Sequence, residues 1–399
     1  MTTPTTAARP THDLAIGYLR AFVTLLVLAH HAVLAYHPFA PPPPTSLSAW
    51  PPLWRVFPVV DSDRWGGFAW IVGFNDSFFM ALMFFLSGLY AWGSLRRKGP
   101  TRFARDRAVR LGLPFLAGAV IVAPVAYFAS YLQTGAAPSL ADFARDWSSG
   151  GTWATGPVWF LWVLLAFDMA AAAAYAAAPG WAHGPRWAAI LRRPAAAFAL
   201  VVAASALAYV PLTFVVDPGT WTGVGPFAFQ TTRFVHYAVY FFAGVVVGAN
   251  RVDADLLRPD GKLARRFPLW VALMAAAFAA CALAVLRAFA TGSRTWATIA
   301  SCGFVVSCAA SSFGFLSLFL RFARTARRAA DAVRENAYGM YVVHYAFAAW
   351  LQYALLGVRL PGLAKGTLAF AGTVALSYAA VAALRRLRAV ARVIGPAVA

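Results

Sequence analysis

Arg20 and His31 stand eleven residues apart in the apolar run Ile16 to Leu34, IGYLRAFVTLLVLAHHAVL. On an α-helix, positions eleven apart fall within ~20° of each other and ~16 Å apart along the axis. The two therefore share one stripe, with Thr24 between them, while His30 points ~80° away. Ionisable groups inside a membrane span are costly and usually mark function. Histidine is the common general base near neutral pH, so the stripe predicts proton transfer at His31, with a cation at Arg20. The competing reading is a packing histidine bonded to a neighbouring carbonyl.

Asn75 and Asp76 lie in WIVGFNDSFFMALMFFLSGLYAW. Counted at ~1.5 Å per residue, Asp76 reaches a depth similar to that of His31. The expectation is that its carboxylate holds the imidazole tautomer and stabilises the imidazolium. The bland reading places Asp76 in the outer interface, solvated. Ser87, eleven after Asp76, continues that face, or Ser87-Gly88 is a close-packing position.

In RFARDRAVRLGLPF, Arg107 and Arg110 are i,i+3 neighbours at a helix start. Guanidinium forks grip phosphate well, although most arginines of such a chain are topology signals. Weaker candidates are Trp159 and Asp168, then Arg233 with His236, then Asn336 with His344. Zinc-ligand spacings, a P-loop and a GxSxG elbow are missing, so no metal is expected.

These residues need elements to hold them, and composition says which. The chain is 61% hydrophobic and 12% charged, against about 25% charged for a soluble domain. That makes it an integral membrane protein. Ten spans are predicted at about 16–36, 69–93, 108–132, 157–178, 195–215, 233–249, 268–289, 296–320, 337–356 and 364–384. They are helical, because no ~10-residue alternation of a barrel is present. The expected fold is thus all-α and polytopic. The domain spans 16–385, between a disordered tail at 1–15 and a basic tail at 386–399.

The formal charge of +20 does not imply nucleic acid, because the basic residues cluster in short loops. Of the 34 Lys and Arg, 26 fall on one side when the spans alternate, so that side is expected to be cytoplasmic, with both termini inside. The N-terminus lacks a signal peptide's basic start, so the first span is expected to stay. Cys281, Cys302 and Cys308 all fall in predicted spans and show no disulfide framework. The outer loops carry Trp residues that are interfacial anchors or a platform for sugar rings. No internal repeat argues for a transporter built of two halves.

Taken in order, the pieces LR-x10-H (Leu19, Arg20, His31), FFLSG (Phe84 to Gly88), RAVR with Pro114 (Arg107 to Arg110), PVWFLWVLL (Pro157 to Leu165), FFAG (Phe241 to Gly244) and YGMYVVH (Tyr338 to His344) resemble the acyltransferase-3 family of membrane O-acyltransferases. The likeness covers about 16 to 385, and the nearest subgroup acts on surface polysaccharides and periplasmic glucans. It implies transfer of an acyl group, commonly acetyl, from acetyl-CoA to a sugar hydroxyl at a bacterial inner membrane. By resemblance His31 is the essential first-span histidine, and Arg20, Arg107 and Arg110 handle the donor's phosphates. The His30-His31 doublet departs from the pattern, and the spacing from Arg20 favours His31.

The resulting expectation is a multi-pass acyltransferase with His31 and Asp76 as catalytic residues. Arg20, Arg107 and Arg110 bind acyl-CoA, and Asn75, Trp159, His236 and His344 bind a carbohydrate or glycoconjugate acceptor. Lipid bilayer is the expected surrounding, and a homodimer is left open. The alternative is a ten-span transporter or flippase with His31, Asp76 and His344 as a proton relay.

Overall fold

The computed structural model describes residues 11–48, 52–149, 153–250 and 256–395. A chain this apolar must satisfy its backbone within each segment, and among the described residues it does so as ten long helices. They are α1 (Thr11–Val33), α2 (Gly67–Lys98), α3 (Pro100–Gln133), α4 (Trp159–Ala177), α5 (Pro194–Tyr209), α6 (Phe234–Ala249), α7 (Phe267–Thr291), α8 (Arg294–Phe322), α9 (Arg328–Ala354) and α10 (Gly362–Leu384). The fold is all-α and polytopic, and among the described residues nine of these stretches are long and apolar enough to cross a membrane.

The exception is α9, predicted at 337–356. It carries Asn336, His344 and Gln352 on buried positions and packs between α1, α3 and α10. Neighbouring helices cover those polar groups, so α9 tolerates them where a lipid-facing helix would not.

α1 lies at the centre, against α2, α8, α9 and α10. α2 and α6 approach backbone to backbone. A Cβ on Gly88 would come within 2.1 Å of the Phe241 carbonyl, and one on Gly244 within 2.2 Å of the Phe85 carbonyl. These are the glycines of FFLSG and FFAG, so both motifs act as small-residue packing seams. Ser87 turns back on its own helix, donating to the Met83 carbonyl at 2.8 Å. α3 contains two π-helical turns, Ala108–Gly112 and Gly118–Val122. Such wide turns recur at functional sites.

The ends hold structure that span counting misses. Beyond the C-terminus of α1, the chain from 34 to 66 is tied to α10 by Lys365. Its Nζ sits 2.7 Å from both Asp61 and Asp63 carboxylates. A helix at Leu140–Ser149 and a hairpin of β1 (Trp221–Val224) and β2 (Phe227–Gln230) cap the same end. At the other end α1 already starts at Thr11, inside the stretch expected as tail, and the basic tail forms α11 (Arg388–Ile394). Residues 1–10 and 396–399 of the expected tails lie outside the described residues.

Candidate active site

His31 closes the last turn of α1, where it meets α9. Its Nδ1 lies 2.8 Å from the Val27 carbonyl, one turn back, and 3.2 Å from Nε2 of His344. His344 in turn places its Nδ1 2.6 Å from the Tyr341 carbonyl. Carbonyl oxygens only accept, and this fixes both tautomers of the neutral pair. His344 donates from Nδ1 and offers the lone pair of Nε2. His31 then donates from Nδ1, towards Val27 and His344, and keeps a lone pair on Nε2. Among the described residues nothing hydrogen-bonds to that Nε2. The arrangement leaves a base with its proton-accepting atom free, on a half-buried side chain.

The surroundings of the pair are rigid. Gln352 donates to the carbonyls of His31 (2.8 Å) and Ala32 (3.0 Å), pinning the end of α1 to α9. The Tyr345 ring stands edge-on to His31, with centroids 5.3 Å apart. The hydroxyls of Tyr127 and Tyr345 both donate to the Arg55 carbonyl, at 2.8 and 3.4 Å. Tyr341 donates to the Pro157 carbonyl, which uses the first residue of PVWFLWVLL as an anchor. Gly156 adopts φ +56°, and a Cβ there would press to 2.8 Å on the Tyr345 ring.

The expected His31–Asp76 pairing is not formed. Asp76 is held by Arg233 through two parallel bonds, Nη1 to Oδ1 at 2.9 Å and Nη2 to Oδ2 at 2.7 Å. A buried guanidinium needs a carboxylate, and α6 brings Arg233 to this one. His30 lies close enough to feel the Asp76 charge, packs on Phe79 at 5.2 Å, and among the described residues leaves its Nδ1 without a hydrogen-bond partner. Asn75 donates weakly, at 3.4 Å, to the Leu26 carbonyl and so brackets α1 to α2.

The arginines do gather at the opposite end of α1. Arg20 donates to the Leu86 carbonyl at 3.1 Å, lies over the Tyr90 ring, and is close enough to Arg107 to feel its charge. Arg107 pairs with the buried Asp168 of α4, Nε to Oδ2 at 3.3 Å. Among the described residues no hydrogen bond reaches either Asp168 oxygen. The π turn swings Arg110 aside, where it donates to the Gly395 carbonyl at 2.6 Å just past α11. Arg107 and Arg110 are neighbours, yet each has its own partner.

Of the remaining candidates, Trp159 stacks on Tyr237 at 5.8 Å and meets Trp221 of the hairpin edge-on at 5.4 Å. His236 is fully buried among Tyr209, Tyr237, Tyr240 and Phe304, and among the described residues neither ring nitrogen is hydrogen-bonded. It lies one turn from Arg233 and is not brought to His31. His344, expected to bind substrate, sits against His31. Sequence reasoning missed Gln352, Tyr345 and the Asp168–Arg107 pair. Polar residues at 336, 344 and 352, spaced by eight in an apolar helix, were the available signal for the first.

A bundle of long apolar helices that encloses buried polar side chains defines a class, the polytopic membrane proteins. Residues 13–382 match the family model of the acyltransferase-3 domain. The chain belongs to the acyltransferase-3 family and is a membrane acyltransferase. Neither a curated protein nor a solved structure matches it.

Proposed function

We propose that this protein moves an acyl group, acetyl in the simplest case, from an acyl-CoA on the cytoplasmic side to a hydroxyl of a carbohydrate or glycoconjugate. The observation that carries the reading is the free Nε2 of His31, on the same helix as Arg20 and ~16 Å along it. The basic end of the bundle is the cytoplasmic one, by the excess of Lys and Arg in its loops. The setting is a bacterial inner membrane. The donor's phosphates sit on Arg107, Arg110 and Arg20. Its thin pantetheine arm runs up between α1, α2 and α3 towards His31.

In the transfer His31 Nε2 takes the proton of the acceptor hydroxyl as the oxygen attacks the thioester carbonyl. The carbon–sulfur bond then breaks, and the proton passes to the leaving thiolate. His344 holds the imidazole in the tautomer that does this, and its Nε2 takes up the Nδ1 hydrogen bond more strongly once His31 is cationic. A covalent acyl-histidine relay uses the same atom. The ring faces of Trp159, backed by the buried Tyr237, and of the half-exposed Trp221 support an acceptor that has apolar ring faces.

The test is purified protein with radiolabelled acetyl-CoA. Release of free CoA and transfer of label to a glycan, both lost in His31→Ala, are expected. Normal turnover in that variant refutes the assignment. Substrate-linked proton flux without any effect of CoA refutes the donor and favours a carrier.

A further inference from the structure

Lys98, at the end of α2, and Thr101, Arg102, Arg105 and Asp106, at the start of α3, border one cavity together with Arg392 of α11. Gly99 makes this possible. Its φ of +74° turns the chain sharply, so the last turn of α2 and the first of α3 face the same space. The buried Phe103 anchors the turn from behind. The cavity measures about 1000 Å3, the size of a nucleotide-scale ligand rather than a single ion.

Its charge is one-sided. Four basic residues line it against one acidic, and Asp106 is already taken by Lys98 at 2.5 Å. Among the described residues Arg102, Arg105 and Arg392 make no hydrogen bond or close ion pair with any other side chain. Three guanidinium groups from two helices border the same space, next to the first free N–H groups of α3, a set of donors that suits a dianionic oxyanion. Arg105 precedes Arg110, of the arginine pair proposed for the donor, by five residues, a rise of ~8 Å and a turn of ~140° about the axis, so only a ligand with two separate phosphate centres could engage both.

We infer that this cavity holds the phosphomonoester of the acyl donor's nucleotide, the 3′-phosphate of coenzyme A, with Arg392 of the C-terminal helix closing the site. The inference rests on the acyl-CoA reading above and adds a determinant of donor specificity. An anionic phospholipid headgroup offers the same phosphate chemistry, so the test separates the two sources.

The experiment measures the affinity of CoA and of dephospho-CoA, which lacks only that phosphate, for the full chain in micelles with and without phosphatidylglycerol. The wild type should prefer CoA by about tenfold or more, the value of a charge-assisted contact. Arg105→Ala and Arg392→Ala, both at exposed positions, should each lose about tenfold for CoA and leave dephospho-CoA unchanged. Lys at either position should restore part of the loss. Equal wild-type affinity for the two ligands, or variants that weaken both alike, overturns the assignment while the donor reading stands. So does a loss seen only when phosphatidylglycerol is present, which makes the cavity a lipid site. Binding of neither ligand overturns the donor reading and this site with it.

Discussion

On one face of α1, His31 meets His344. About 100° further round the same helix, His30 faces Asp76 and Arg233. The first cluster is built from two imidazoles and two backbone carbonyls, and it carries no compensating charge. The second is a bidentate ion pair in which both oxygens and both terminal nitrogens are bonded. A base needs a lone pair left over after its own support is satisfied, and only His31 has one in a defined tautomer. A carboxylate gripped by a guanidinium is fully used and belongs to the scaffold of α2 and α6. Adjacent residues of one type are thus sorted into separate roles by what the neighbouring helices present.

Variants can break this contrast, and their expected effects descend in size. His31→Ala removes the base and should lower the transfer rate about a thousandfold, with insertion and thermal unfolding unchanged. His344→Ala keeps the base but frees its tautomer. It should cost on the order of a hundredfold in kcat with little change in donor KM, and glutamine there should recover part of it. Asp76→Asn strands the Arg233 charge, whose side chain is 9% exposed. It should lower stability by about 1–3 kcal/mol, read as a reduced Tm, and affect the rate per folded molecule far less. The Asp76 side chain is 46% exposed, so solvent screens part of that cost. His30→Ala should have the smallest effect, a rate close to wild type in the same transfer assay. A large loss there, with His344→Ala silent, would reverse the sorting.

Much of this was legible in the chain itself. The apolar runs located all ten long helices, because hydrocarbon leaves the backbone no other option, but they missed the charged first turns of α3 and α9, which start eight and nine residues before the expected spans. The eleven-residue spacing singled out His31 over His30, and the mouth arginines were readable from charge and motif. Which buried acid meets which buried base was not legible. Depth counting put Asp76 level with His31, but depth says nothing about the angle around the helix, and Arg233 competes for the same carboxylate from 157 positions away. His344 was visible as an odd residue in a span, yet its contact depends on how α9 is rotated against α1. The π turn that parts Arg107 from Arg110 has no signature in a pattern of i,i+3 spacing.

The central claim is that His31 and His344 act as one unit. A double-mutant cycle with His31→Ala, His344→Ala and the combined variant tests it, using the single-turnover rate of acyl transfer. If His344 works only through His31, the double variant is no slower than His31→Ala alone. Losses that multiply would contradict the pair and give His344 an independent role.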